Sequence, residues 1–274
     1  MKAVFTFLFI ILLASNSVFA QFSRSIAEVN RNEELEVENI KTKPLFVLLN
    51  DESPELNKLL QQSVSTNWKL SPSISYITNA ELTKIEKENT GQLNILELRN
   101  YSLSTMPHTM KSPGMAKGFF SLGLRVIVKR VSFSIHIEPI CNDIVHPSDI
   151  AFCIKRIEQT IEKKPLDFKN TKLTNSILII CEDDISNDMI IKAKEVYTLP
   201  HKIVSREEYE KLFTDTSSPY VFMILSYLGM GTFGPLLFTT DKVEFIGIGK
   251  PKSNSKRPFL TDKDFISFKK YLGN

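Results

Sequence analysis

Four side chains between positions 106 and 115 carry the densest metal-binding chemistry in this sequence: Met106, His108, Met110 and Met115. Thioether and imidazole donors suit Cu(I), a soft ion, when about three of them can close around one centre. The segment from Ser102 to Gly118 is long for a simple connection, and Pro107 and Pro113 restrict its backbone. Methionines on a loop also fold back onto apolar surface as flexible hydrophobes. That second behaviour is the expectation here, so no cofactor is implied.

A second candidate set is acidic. Asp51 and Glu52 follow the apolar run Lys43 to Asn50 (KPLFVLLN), and Asp183 and Asp184 follow Ser176 to Cys181 (SILIIC). Carboxylates between a strand and a helix are favoured by the helix macrodipole. The same placement in both halves leaves a ligand or cation site as the other reading. The run ILIICEDD resembles the start of a response-regulator receiver, but that family needs an aspartate at the end of its third strand, and Tyr220 to Leu228 ends without one.

Other patterns carry less. Gly229, Gly231 and Gly234 spell G-x-G-x-x-G, yet a strand-like run follows where a dinucleotide site needs a helix, so a hairpin loop is expected. His136, His146 and His201 are scattered. Cys153 shares a helical stripe with Ile150, Ile154, Ile157 and Ile161 and reads as core, while acidic neighbours disfavour a reactive thiolate at Cys181. With Cys141 the count is three, which is no disulfide framework. No nucleophile, base and orienting group recur at catalytic spacing, and a catalytic role is not expected.

The address is clearer. Lys2, the apolar run Ala3 to Ala14 and the small-residue site Val18-Phe19-Ala20 form a signal peptide over residues 1–20. The run is too short to span a bilayer. The mature chain should start at Gln21 and be periplasmic or secreted. The charge-free stretch Thr216 to Thr240 is long enough to span, but Gly229, Gly231, Gly234 and Pro235 at its centre suit a turn between strands. A membrane anchor is therefore not expected. Thirty-four Lys+Arg against 31 Asp+Glu argue against nucleic acid as a partner.

After a polar segment, 21–42, the pattern divides into two α/β units, 43–164 and 175–274, joined by a linker at 165–174. Each reads β-α-β-α-β-β-β-α. Ser53-Pro54, Asn79, Ser186 and Ser205-Arg206-Glu207-Glu208 are the expected helix starts. Offsets of 132 residues (Asp51 to Asp183, Val64 to Val196) and then 127 (Glu81 to Glu208, Leu93 to Tyr220) relate the halves.

The openings LFVLLNDESPEL and ILIICEDDISND, the strand triplets and the closing helices resemble the N-terminal, anticodon-binding-like domain of the periplasmic protein TolB, in two copies. That resemblance implies mixed sheets with helices packed on one face and a role in assembly or binding. Thioredoxin-like units are the alternative, one strand shorter. The functional expectation is an exported, non-catalytic protein that binds a protein or small ligand in the cell envelope. A copper protein or an enzyme centred on residues 106–115 or the acidic strand ends is the alternative.

Overall fold

The computed structural model describes residues 34–88, 92–101, 119–128, 131–140, 144–162, 173, 176–215, 218–229, 232–239, 245–253 and 259–272. Residues 1–33, the linker apart from Leu173, and the Met/His segment lie outside them.

Helix α1 (34–42) leads into β1 (Leu45–Leu48), α2 (Pro54–Asn67), β2 (Ile74–Ile77), α3 (Asn79–Glu88), β3 (Gln92–Tyr101), β4 (Phe119–Val128), β5 (Val131–Ile140) and α4 (Pro147–Ile161). The second half follows as β6 (Ile177–Cys181), a 3-10 turn (Glu182–Asp184), α5 (Asn187–Val196), β7 (His201–Val204), α6 (Arg206–Phe213), β8 (Tyr220–Gly229), β9 (Thr232–Thr239), β10 (Phe245–Ile248), β11 (Lys252–Ser253) and α7 (Asp262–Leu272). The first sheet has the order β2-β1-β3-β4-β5, and the second β7-β6-β8-β9-β10 with β11 beside β9. In each, the first strand is parallel to both neighbours and the later strands are antiparallel. The two units therefore share one strand order and one pattern of directions.

Local chemistry sets the helix starts. Ser186 Oγ accepts from Met189 N, and Ser205 Oγ accepts from Glu208 N, each satisfying an amide with no partner inside its helix. Helix α3 differs from expectation. Its cap is Thr78, whose amide and hydroxyl both donate to Glu81 Oε2, and Asn79 is already helical. Pro54 opens α2 as expected, but the Ser53 hydroxyl makes no capping bond.

The helices do not share one face of each sheet. Leu45, Val47 and Leu96 pack with α2 and α4, whereas Ile77, Leu93 and Ile95 pack with Leu82 of α3 on the opposite side. In the second sheet Leu178, Ile180 and Met223 meet α5 and α7, and Ile179 and Phe222 meet Tyr209 of α6. The reason is chain direction. Strand β1 is central, so the path moves one way to β2 and the opposite way to β3, and right-handed crossovers in opposite directions put their helices on opposite faces.

One hydrophobic core runs through both units. It extends from Val47 and Leu122 through Ile150, Cys153 and Ile157 of α4 to Phe222, Ile224 and Phe238 of the second sheet. The rings of Phe152 and Phe238 lie 5.2 Å apart. Helix α4 thus belongs by sequence to the first unit and covers a sheet face of the second. The polar segment before Lys43 also contributes: Ile40 is fully buried, and the buried Asn39 and Asn94 exchange hydrogen bonds of 2.8 and 3.0 Å.

Strand pairing fixes how the repeats align. Leu45 pairs with Ile74 at the start of β2 as Leu178 pairs with His201, so this offset is 178 − 45 = 133 residues. The buried Leu60 and Ala193 keep the same offset, and so do the first residues of α2 and α5. The 132 read from sequence is one residue short, a slip that exchanges the two faces of a strand. From α3 and β3 the offset of 127 stands: Asn94 pairs with Leu45 where Val221 pairs with Leu178.

Candidate functional site

Parallel strands of an open α/β sheet present a crevice at their carboxyl ends where successive connections leave in opposite directions. In the first unit that place is between β1 and β3. The described residues there enclose a cleft of about 870 Å3. Leu49, Asn50, Glu52 and Ser53 come from the end of β1 and the start of α2, and Asn79 and Leu82 from α3. Strand β3 contributes Glu97 to Asn100, and β4 contributes Phe120 and Arg125.

Register explains which groups face it. On β3, Leu93 and Ile95 lie on the α3 side, so alternation sends Glu97 and Arg99 to that side too. Arg125 stands opposite Ile95 on β4 and shares that face. Leu98 and Phe120 pack on the other side, towards α2. The cleft therefore straddles the end of the sheet, with apolar groups along one wall and polar groups along the other.

Both of its guanidinium groups are paired. Arg99 Nη2 lies 2.6 Å from Glu97 Oε1, a carboxylate only 9% exposed, and Arg125 Nη2 lies 3.2 Å from Glu86 Oε1. Buried Arg125 Nε has no hydrogen-bond partner among the described residues. The turn beneath is rigid: Asn50 N donates to Asn57 Oδ1, Asn57 Nδ2 donates to Asn50 O, and Asn50 Oδ1 accepts from Glu52 N.

The second unit builds the corresponding place differently. Asn50 aligns with Asp183 and Asn79 with Arg206, by the offsets of 133 and 127. Arg206 Nε donates to Asp183 Oδ2 at 3.0 Å, joining the end of β6 to the start of α6. Its Nη1 is 3.7 Å from Glu210 Oε1, and Glu210 accepts from both the amide and the hydroxyl of Ser148 at the start of α4. Burial is the main cause that holds the Glu210 carboxyl above its ordinary range, against the hydrogen bonds from Ser148. Leu260 N donates to Asp184 O, closing another side. Arg206 and Asp183 thus bridge, in the second unit, the strand end and helix start that Asn50 and Asn79 leave unbridged among the described residues of the first.

The sheet faces follow the same logic. Ile224 and Phe238, which pack under α4, occupy the positions that Glu97 and Arg125 hold in the first unit. Burial, mainly, pushes the Cys181 thiol up to about 12, so it stays a neutral core group rather than a nucleophile.

The sequence-level candidates are distributed as follows. Glu52 lines the cleft and Asp51 is exposed beside it. Asp183 is taken by Arg206, and Asp184 is buried. The two acidic pairs belong to separate units, and among the described residues no group of three or more His, Cys, Asp or Glu side chains could hold a metal ion. Met106, His108, Met110 and Met115 lie outside the described residues. Cys153 is buried as expected. The glycine-rich run links the antiparallel β8 and β9, with Gly229 ending β8 and Thr232 to Pro235 already in β9, which starts earlier than read; residues 230–231 lie outside the described residues. Among the described residues no helix is long and apolar enough to cross a membrane.

Leu98 and Arg125 were not singled out from the sequence, and Asn50 and Asn79 were read only as a strand end and a helix start. The available signal was the replacement of an Asp and Arg pair by two asparagines, which becomes visible only when the repeats are aligned in their structural register. The chain matches no family model, no curated protein and no solved structure.

Proposed function

We propose that this chain is an exported, non-catalytic binding protein whose ligand seats in the cleft at the carboxyl ends of β1 and β3. One observation carries the reading. Two units share a strand order, yet where Arg206 bridges to Asp183 in one, the aligned Asn50 and Asn79 of the other line a cleft of about 870 Å3, within the range of about 300–1,000 Å3 common to small-molecule sites.

The wall chemistry supports binding over catalysis. Both guanidinium groups and the Glu97 carboxylate are engaged in ion pairs. Apart from the exposed Glu52 carboxylate at the rim, the other polar groups are amides and a hydroxyl, suited to hydrogen bonding rather than proton transfer. Export rests on Lys2, the apolar run Ala3 to Ala14 and the site Val18-Phe19-Ala20.

Hydrogen exchange of the mature chain against a library of sugars, amino acids, short peptides and nucleotides tests this. The expected result is a compound that protects residues 48–57, 79–82 and 97–100 together. A library in which every binder protects only other segments, or in which nothing binds, contradicts the assignment.

A further inference from the structure

We infer that the ligand of this cleft is a neutral oligosaccharide, a deepening that rests on the binding reading above. The first ground is charge. Arg99 and Glu97 neutralise each other at 2.6 Å, and Arg125 is matched by Glu86 at 3.2 Å. Neither guanidinium is free to balance a phosphate or sulfate, and exposed Glu52 on the rim repels one. A cation gains little, because the buried carboxylate of Glu97 is already answered by Arg99.

The second ground is hydrogen bonding. Asn50, Asn79 and Asn100 present amides that both donate and accept, and the Ser53 hydroxyl is not used as a helix cap. Sugar hydroxyls also donate and accept, so such groups match them without net charge.

The third ground is shape and polarity. Leu56, Leu98 and the half-buried Phe120 form an apolar strip along the α2 side of the cleft, with Asn100 beside Phe120 at its end. A pyranose ring has the same division, with C–H groups on its faces and hydroxyls around its rim. The cleft, about 870 Å3 and open to solvent, has room for more than one such ring.

The repeat itself supplies a bridged variant. Asn50→Asp with Asn79→Arg introduces into the first unit the residue pair that bridges this place in the second. Calorimetric titration of the mature chain with neutral hexose and N-acetylhexosamine trisaccharides, their sulfated counterparts and inorganic phosphate is the test, with hydrogen exchange as a second readout. A neutral trisaccharide should bind and protect residues 97–100. The double variant should weaken it at least tenfold while keeping the wild-type circular dichroism, and Asn79→Ala should weaken it several-fold. Neutral trisaccharides that give neither heat nor protection overturn the carbohydrate assignment. Protection of 97–100 by phosphate or a sulfated sugar alone overturns it too but leaves the cleft as a binding site, whereas protection of other segments alone removes both.

Discussion

Arg206 Nε reaches Asp183 Oδ2 at 3.0 Å across the position that Asn50 and Asn79 leave unbridged in the other unit. Arg206 also lies 5.3 Å above the ring of Tyr209, whose hydroxyl donates to Met223 O. This residue therefore joins β6, α6 and, through Glu210 and Ser148, the start of α4. Arg206→Ala should destabilise the chain by about 1–2 kcal/mol, less than a fully buried pair would because Asp183 is 46% exposed. Urea denaturation measures this, and Asp183→Asn should cost less than Arg206→Ala.

The two units should not unfold independently. Phe152, on a helix of the first unit, is 3% exposed and packs on Phe238 of the second sheet within one continuous core. Phe152→Ala should cost about 3–5 kcal/mol. Wild type should show one calorimetric transition, and a variant that uncouples the units should show two.

Acid titration has a definite sign. Burial raises the Glu138 and Glu210 carboxyls, the opposing influences being Arg156 for the first and hydrogen bonds from Ser148 for the second. The folded state then binds protons more tightly than the unfolded chain, so these groups make stability fall as pH rises from the ordinary value of 4.5 through their raised values. Glu81 acts oppositely. The amide and hydroxyl of Thr78 hold its carboxyl low, and its contribution is lost as pH falls below 4.5. Glu210→Gln should therefore flatten the decline of stability above pH 4.5, as read from urea midpoints at stepped pH.

Much of the element order was legible in the sequence because it is locally encoded. Ser186 and Ser205 cap the helices they were expected to cap, and the β-branched run at Ile177 is a buried strand. Helix α1 was missed because only a few of its residues are apolar, and its burial depends on Asn39 meeting Asn94, 55 residues away. The faces taken by α3 and α6 follow from strand order, which is a property of distant pairing. The cleft depends on the offset of 133, and a slip of one residue set Asp183 against Asp51 instead of Asn50. Until that register was known, the unbridged and bridged crevices could not be compared.

Export gives a simpler expectation. If the chain is exported as proposed, cleavage after Val18-Phe19-Ala20 should leave a mature N-terminus at Gln21. Intact mass of the protein collected outside the cytoplasm should correspond to residues 21–274. Retention of Met1, or recovery with integral membrane proteins, would contradict it.

The most direct test of the account is a backbone-amide NMR titration of the mature chain with the tightest-binding neutral trisaccharide. Leu49, Ser53, Asn79 and Leu98 around the cleft should shift saturably, while Asp183, Asp184 and Arg206 around the bridged place in the second unit should not. Shifts centred on Asp183 and Arg206, or none at the four cleft positions, would contradict it.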